Sequence, residues 1–147
     1  MLNLNMEPFA PYVANYYDEI PHLDSPQTSI FVEIAFPGHE NFSTYARLDP
    51  ATPWVVLNNE IAENLGFSFN EKVITLRTIG GDMKGTLERH PIELLALEGP
   101  SITIDATIFV CREWQRECFL GYSGFLERIR FAVDPSTQRF YFGEITE

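Results

Sequence analysis

Short runs of β-branched and aromatic residues, cut at close intervals by Pro and Gly, leave this chain little choice but to build from short strands. Residues 30–36 read Ile-Phe-Val-Glu-Ile-Ala-Phe, Pro37-Gly38-His39-Glu40 turns the chain, and residues 43–49 resume as a strand, so the pair reads as a hairpin. Residues 101–111 alternate Ile102, Ile104, Ala106, Ile108 and Val110 with polar or smaller partners, the period of a half-buried strand. Helical signals are sparse. After the buried run Trp54-Val55-Val56-Leu57, Asn58 or Asn59 can cap a short helix that Gly66 ends, and Ser123 can cap another through Ile129. Strand-like residues 72–79 and 84–97 are separated by Gly80-Gly81-Asp82-Met83, and residues 130–134 and 139–143 form a last hairpin around Pro135-Ser136-Thr137-Gln138. The expected class is all-β, mostly antiparallel.

Composition fixes what such a body can hold and meet. With 147 residues, 45% apolar and 21% charged, the chain can bury one compact core. Ten Lys plus Arg against 21 Asp plus Glu leave a formal charge of -11, and no basic run occurs, so nucleic acid is excluded as an expected partner. No apolar run approaches the roughly 18 residues of a membrane span, which excludes a membrane partner of that kind. The first twenty residues lack Lys, Arg and a continuous apolar block, so a cytoplasmic location is expected. Residues 1–28, where Pro8, Pro11, Pro21 and Pro26 interleave with Phe9, Tyr12, Tyr16 and Tyr17, read as an extension packed on the body (residues 29–147) or on a second subunit.

The side chains that carry metal or nucleophilic chemistry are thinly spread. Cys111 and Cys118 have no His at ligand spacing, so no metal is expected and both read as buried or free thiols. His22, His39 and His90 are dispersed and read as surface or loop residues.

The sequence from Ala46-Arg47-Leu48-Asp49, through a tight turn, the apolar strand 54–57 and a short helix ending in Leu65-Gly66, resembles the active-site region of retropepsin-like aspartic peptidases. Phe119-Leu120-Gly121, followed by Phe125-Leu126-Glu127-Arg128 and Phe131-Ala132-Val133-Asp134, resembles that family's second half, and Ile79-Gly80-Gly81-Asp82 lies where the family places its flap. The resemblance spans residues 29–143. It implies a small closed or nearly closed β-barrel with one or two short helices, needing no cofactor. It also implies a homodimer that hydrolyses an extended peptide or protein substrate with water activated by paired Asp49 carboxylates. Each acid has its own role, because two carboxylates about 3 Å apart share one proton. The active-site turn departs from the family's Asp-Thr/Ser-Gly: it reads Asp49-Pro50-Ala51-Thr52, so Pro50 brings neither hydroxyl nor N–H, and Ala51 would strain a turn that needed positive φ. Tyr122-Ser123 likewise replaces Arg then Asp or Asn. An exposed aromatic edge at Phe140-Tyr141-Phe142 would also favour a dimer. The alternatives are a catalytically inactive dimerisation or peptide-binding module, in which Asp49 merely caps its turn, and a small barrel without any site.

Overall fold

In the computed structural model, residues 2–4, 7–17, 29–39, 42–69, 73–78 and 80–145 are described. Residues 18–28 with His22, together with Glu40, Lys72 and Ile79, lie outside the described residues. The elements follow in the order β1 (Leu2–Leu4), β2 (Glu7–Ala10), β3 (Tyr12–Asn15), β4 (Phe31–Ala35), β5 (Ser43–Leu48), β6 (Val55–Val56) and the helix α1 (Asn59–Asn64). They continue as β7 (Ile74–Thr78), β8 (Gly81–Leu94), β9 (Ile102–Val110), β10 (Cys118–Leu120), a 3-10 turn (Leu126–Arg128), β11 (Ile129–Asp134) and β12 (Arg139–Glu144).

Six strands close on themselves in the order β4-β5-β10-β6-β9-β8, because β8 also pairs with β4 through Ile34↔Leu94 and Ala35↔Glu93. The expected closed barrel is therefore present. Its wall is mostly antiparallel, with parallel pairing where β10 meets β5 and where β6 meets β9. Alternation sets the facing: Ile102, Ile104, Ala106, Ile108 and Val110 all turn inward and join Val32, Ile34, Ile92, Leu94 and Leu120 in the core. Phe109, on the opposite face, joins a second cluster outside the barrel with Val56, Leu76, Cys111 and Phe119.

Local chemistry places the helix α1. The Asn58 side chain accepts the Glu60 N–H at 2.9 Å, which satisfies an orphan donor of the first turn, and Gly66 leaves the helix at φ +87°. Among the described residues no second helix of that kind forms. Residues after Ser123 make only the 3-10 turn, whose N-cap is Phe125 with no side-chain bond, so Ser123 does not cap it. Gly124 sits at φ +79° against the Thr107 side chain, which breaks a helical path before it starts.

The chain's long strand serves two partners in turn. Gly81 through Gly85 pair with β7, and Thr86 through Leu94 pair with β9. Since Thr78 pairs with Gly81, Gly81, Asp82 and Met83 belong to the ladder and not to the connection expected from their sequence. Gly85 marks the handover: a Cβ there would meet the Val110 carbonyl and lie 2.8 Å from Phe109 Cζ.

A second sheet, β11-β12-β3, completes the same core. Phe140 and Phe142 are fully buried and stacked with centroids 5.6 Å apart, and β12 lies between β11 and β3. The expected exposed aromatic edge is thus absent, since Tyr12 to Asn15 of β3 cover it. Preceding residues cross above Gly143, where a Cβ would lie 2.7 Å from Pro11 Cδ.

Both thiols are free and buried, but Cys118 lies in the barrel core while Cys111 lies in the outer cluster. Opposite faces of the wall keep them from bonding to each other. Burial pushes both thiols upward, Cys118 to about 11. At neutral pH an alkylating reagent should therefore modify neither thiol in the native chain and both after denaturation, as read by intact mass.

Candidate active site

The Asp49 turn is held from both sides by one strand. β10 pairs in parallel with β5, which leads into the turn, and antiparallel with β6, which leaves it. The backbone continues this grip: the Asp49 N–H donates to the Leu120 carbonyl at 3.0 Å, Tyr122 N–H to the Thr52 carbonyl at 2.8 Å, and Ser123 N–H to the Pro53 carbonyl at 2.7 Å. Gly121 lies at the point of closest approach. A Cβ on it would run into the Trp54 carbonyl and lie 2.6 Å from the Thr52 carbonyl oxygen, so only glycine lets the two backbones meet.

Within the turn every available donor is used locally. Ala51 N–H reaches Asp49 Oδ1 at 3.1 Å, Thr52 Oγ1 donates to Asp49 Oδ2 at 2.7 Å, and Thr52 N–H reaches the Asp49 carbonyl at 3.1 Å. The carboxylate is thereby fixed in orientation while remaining half-buried rather than enclosed. Pro50 has no N–H to add. The strain anticipated at Ala51 is not found: among the described residues Gln138 is the one non-glycine residue with positive φ, and Ala51 is exposed. A methyl group is accommodated because this turn keeps ordinary backbone angles there.

Around the turn an aromatic surface joins it to the β7–β8 hairpin. Trp54 stacks on Phe109 with centroids 6.0 Å apart, and Trp54, Ile74, Met83 and Trp114 pack against the outer cluster of Phe119, Phe109, Leu76 and Val56. Gly80 and Gly81, with Asp82 opposite Arg77, form the outer end of this hairpin. Arg47, two residues before Asp49, lies over the Phe119 ring at 4.5 Å and pairs with Glu117 at 3.2 Å. The Asn58 and Asn59 side chains donate to the Arg116 and Arg112 carbonyls at 3.0 and 2.9 Å, anchoring the loop that delivers β10. Sequence spacing alone gives no signal for the Arg47–Glu117 pair or the Gly121 contact, because their partners lie far apart in the chain. Among the described residues, no group of three or more His, Cys, Asp or Glu side chains is placed to hold a metal.

No model of a known protein family matches this sequence, and no curated protein does. Among solved structures the chain is similar to the crystal structure of a retropepsin-like aspartic protease from Rickettsia conorii. The two are 19% identical, with 78% of this chain and 82% of that chain covered and a TM-score of 0.50. The fold is retropepsin-like.

The Gly121 contact yields a sharp expectation. Gly121→Ala should destabilise the protein by about 1–3 kcal/mol, toward the upper end because the obstacles are backbone carbonyls, and thermal unfolding would measure it. Gly38→Ala, at a glycine with open space around it, has no such collision and should cost less, although its φ of +88° still penalises a side chain.

Proposed function

We propose, from a retropepsin-like fold with Asp49 fixed at its strand-to-turn junction, that the chain is an aspartic endopeptidase working as a homodimer on extended peptides. The observation that carries this reading is the oriented carboxylate: both Asp49 oxygens accept a hydrogen bond from the turn, and the turn is itself bonded to β10. One such acid per chain supplies half of a pair. Two Asp49 carboxyls brought together share one proton, so the ionised one takes a proton from water while the other gives its proton to the peptide carbonyl oxygen. Ala51 N–H and Thr52 Oγ1 serve as positioning groups. The Trp54, Phe119 and Met83 surface supports binding of bulky apolar peptide side chains, and the outer end of the hairpin at Gly80, Gly81 and Asp82 acts as the flap.

One observation favours a second reading, an inactive module that holds or pairs peptides. Pro50 removes a donor, and Thr52 spends its hydroxyl on its own Asp49, so the turn has little left to tie to a partner turn. Kinetics separate the two readings. Peptide hydrolysis should be fastest at acidic pH, survive chelators and disappear in Asp49→Asn, and Pro50→Thr should raise it. Hydrolysis unaffected by Asp49→Asn, measured on the same peptide library, would remove the peptidase reading.

A further inference from the structure

Two histidines that stand far apart in the sequence meet across the seam between β4 and β8. That seam runs through Ile34↔Leu94 and Ala35↔Glu93, and the same register carried beyond the last pair sets Gly38 opposite His90. A turn holds the chain there: His39 N–H donates to the Phe36 carbonyl at 3.0 Å, and Gly38, after Pro37, takes φ +88° as the third residue of a type II turn requires. The imidazoles of His39 and His90 consequently lie with ring centroids 5.8 Å apart and planes inclined by 44°, and both residues are half-buried. Phe36 and Phe67 pack in edge-to-face contact with the His90 ring at 6.2 and 5.6 Å, which holds it in place.

One ring is already set to offer a lone pair. His90 Nδ1 lies 2.8 Å from the Pro91 carbonyl oxygen, and because that oxygen can only accept, the neutral ring carries its proton on Nδ1 and its lone pair on Nε2. Metal-binding histidines are oriented by the same kind of bond. Neither ring makes another hydrogen bond among the described residues. A ring nitrogen lies about 1.1 Å from its own centroid, so metal–nitrogen bonds of about 2.0–2.1 Å place an ion about 3.2 Å from each centroid. Two rings sharing an ion at tetrahedral or somewhat wider angles therefore have centroids about 5–6 Å apart. The observed 5.8 Å falls within that range, and the formal charge of -11 favours a cation. We propose that His39 and His90 form a two-imidazole site for Zn(II), and that the ion clasps the β4–β5 turn to β8. Water completes its shell, since among the described residues no third His, Cys, Asp or Glu is placed to join the pair.

Calorimetry and thermal unfolding of the full chain with zinc chloride test this. At a hundredfold excess over its dissociation constant, Zn(II) should raise the unfolding midpoint by about 5–10 °C, and Mg(II), a hard ion that prefers oxygen ligands, should not. His39→Asn and His90→Asn should each weaken zinc binding at least about tenfold and shrink the shift at the same zinc concentration. Asp49→Asn should leave zinc binding unchanged. Cu(II) should bind more tightly than Zn(II), and its paramagnetic resonance spectrum should show two imidazole nitrogens, reduced to one in either histidine variant. If His90→Asn does not fold, His39→Asn decides alone. The proposal is overturned by the absence of a zinc shift, by an equal shift with Mg(II), by a copper spectrum without imidazole nitrogen, or by zinc binding that His39→Asn leaves intact. Zinc binding that Asp49→Asn removes would place the ion on the carboxylate and overturn it as well.

Discussion

The insertion of β10 between β5 and β6 is the constraint on which the rest of the structure depends. These two strands flank the Asp49 turn, yet they do not pair with each other; both are bonded to a strand that arrives about sixty to seventy residues later in the chain, with Asn58 N–H reaching Cys118 Sγ at a separation of 60 positions. The turn therefore acquires its shape only when β10 is seated. The Arg47–Glu117 pair and the stacking of Arg47 on Phe119 brace the same junction from outside, and Glu117 is nearly buried, so the charges are sheltered from solvent screening. A residue at the turn is thus coupled to the loop before β10 by hydrogen bonds, an ion pair and a glycine that permits contact between backbones.

How much of this could be read from the sequence follows the range of the interaction. The β4–β5 hairpin, the inward row of β9 and the Asn58 cap were legible because each is fixed by residues a few positions apart. The retropepsin-like order of elements was also legible, through Leu48-Asp49 and Phe119-Leu120-Gly121. What escaped depends on remote neighbours. Ser123 looked like a helix cap because the Thr107 side chain that crowds Gly124 comes from another strand. The strand 140–142 looked like an exposed edge because β3, drawn from a segment that reads as an extension, had no local signal to announce its place on β12. Ala51 looked strained because a position where the family spells Gly suggested positive φ, a backbone angle that Ala51 does not have.

Thr52 illustrates the tension between a well-made turn and a sociable one. Its hydroxyl and amide, with the Ala51 amide, give each Asp49 carboxylate oxygen and the Asp49 carbonyl one hydrogen bond from within four residues. This is favourable for a single chain, since oriented, charge-assisted bonds hold the carboxylate still. It also withdraws those donors from intermolecular use.

The closure between β4 and β8 has a mechanical meaning. Nine residue pairs join β8 to β9, but only Ile34↔Leu94 and Ala35↔Glu93 join β8 to β4, with the Leu95 amide adding a long bond of 3.4 Å to Glu33. The wall is a strip whose broadest seam lies between β8 and β9 and whose two edges, β8 and β4, are clipped together. Opening that clip would part β8 from β4 at two residue pairs and leave the long ladder between β8 and β9 intact. The strands that carry the carboxylate are joined no more broadly, since Phe119↔Val56 alone links β10 to β6, and the bonds of the Asp49, Tyr122 and Ser123 amides make up what that short ladder lacks.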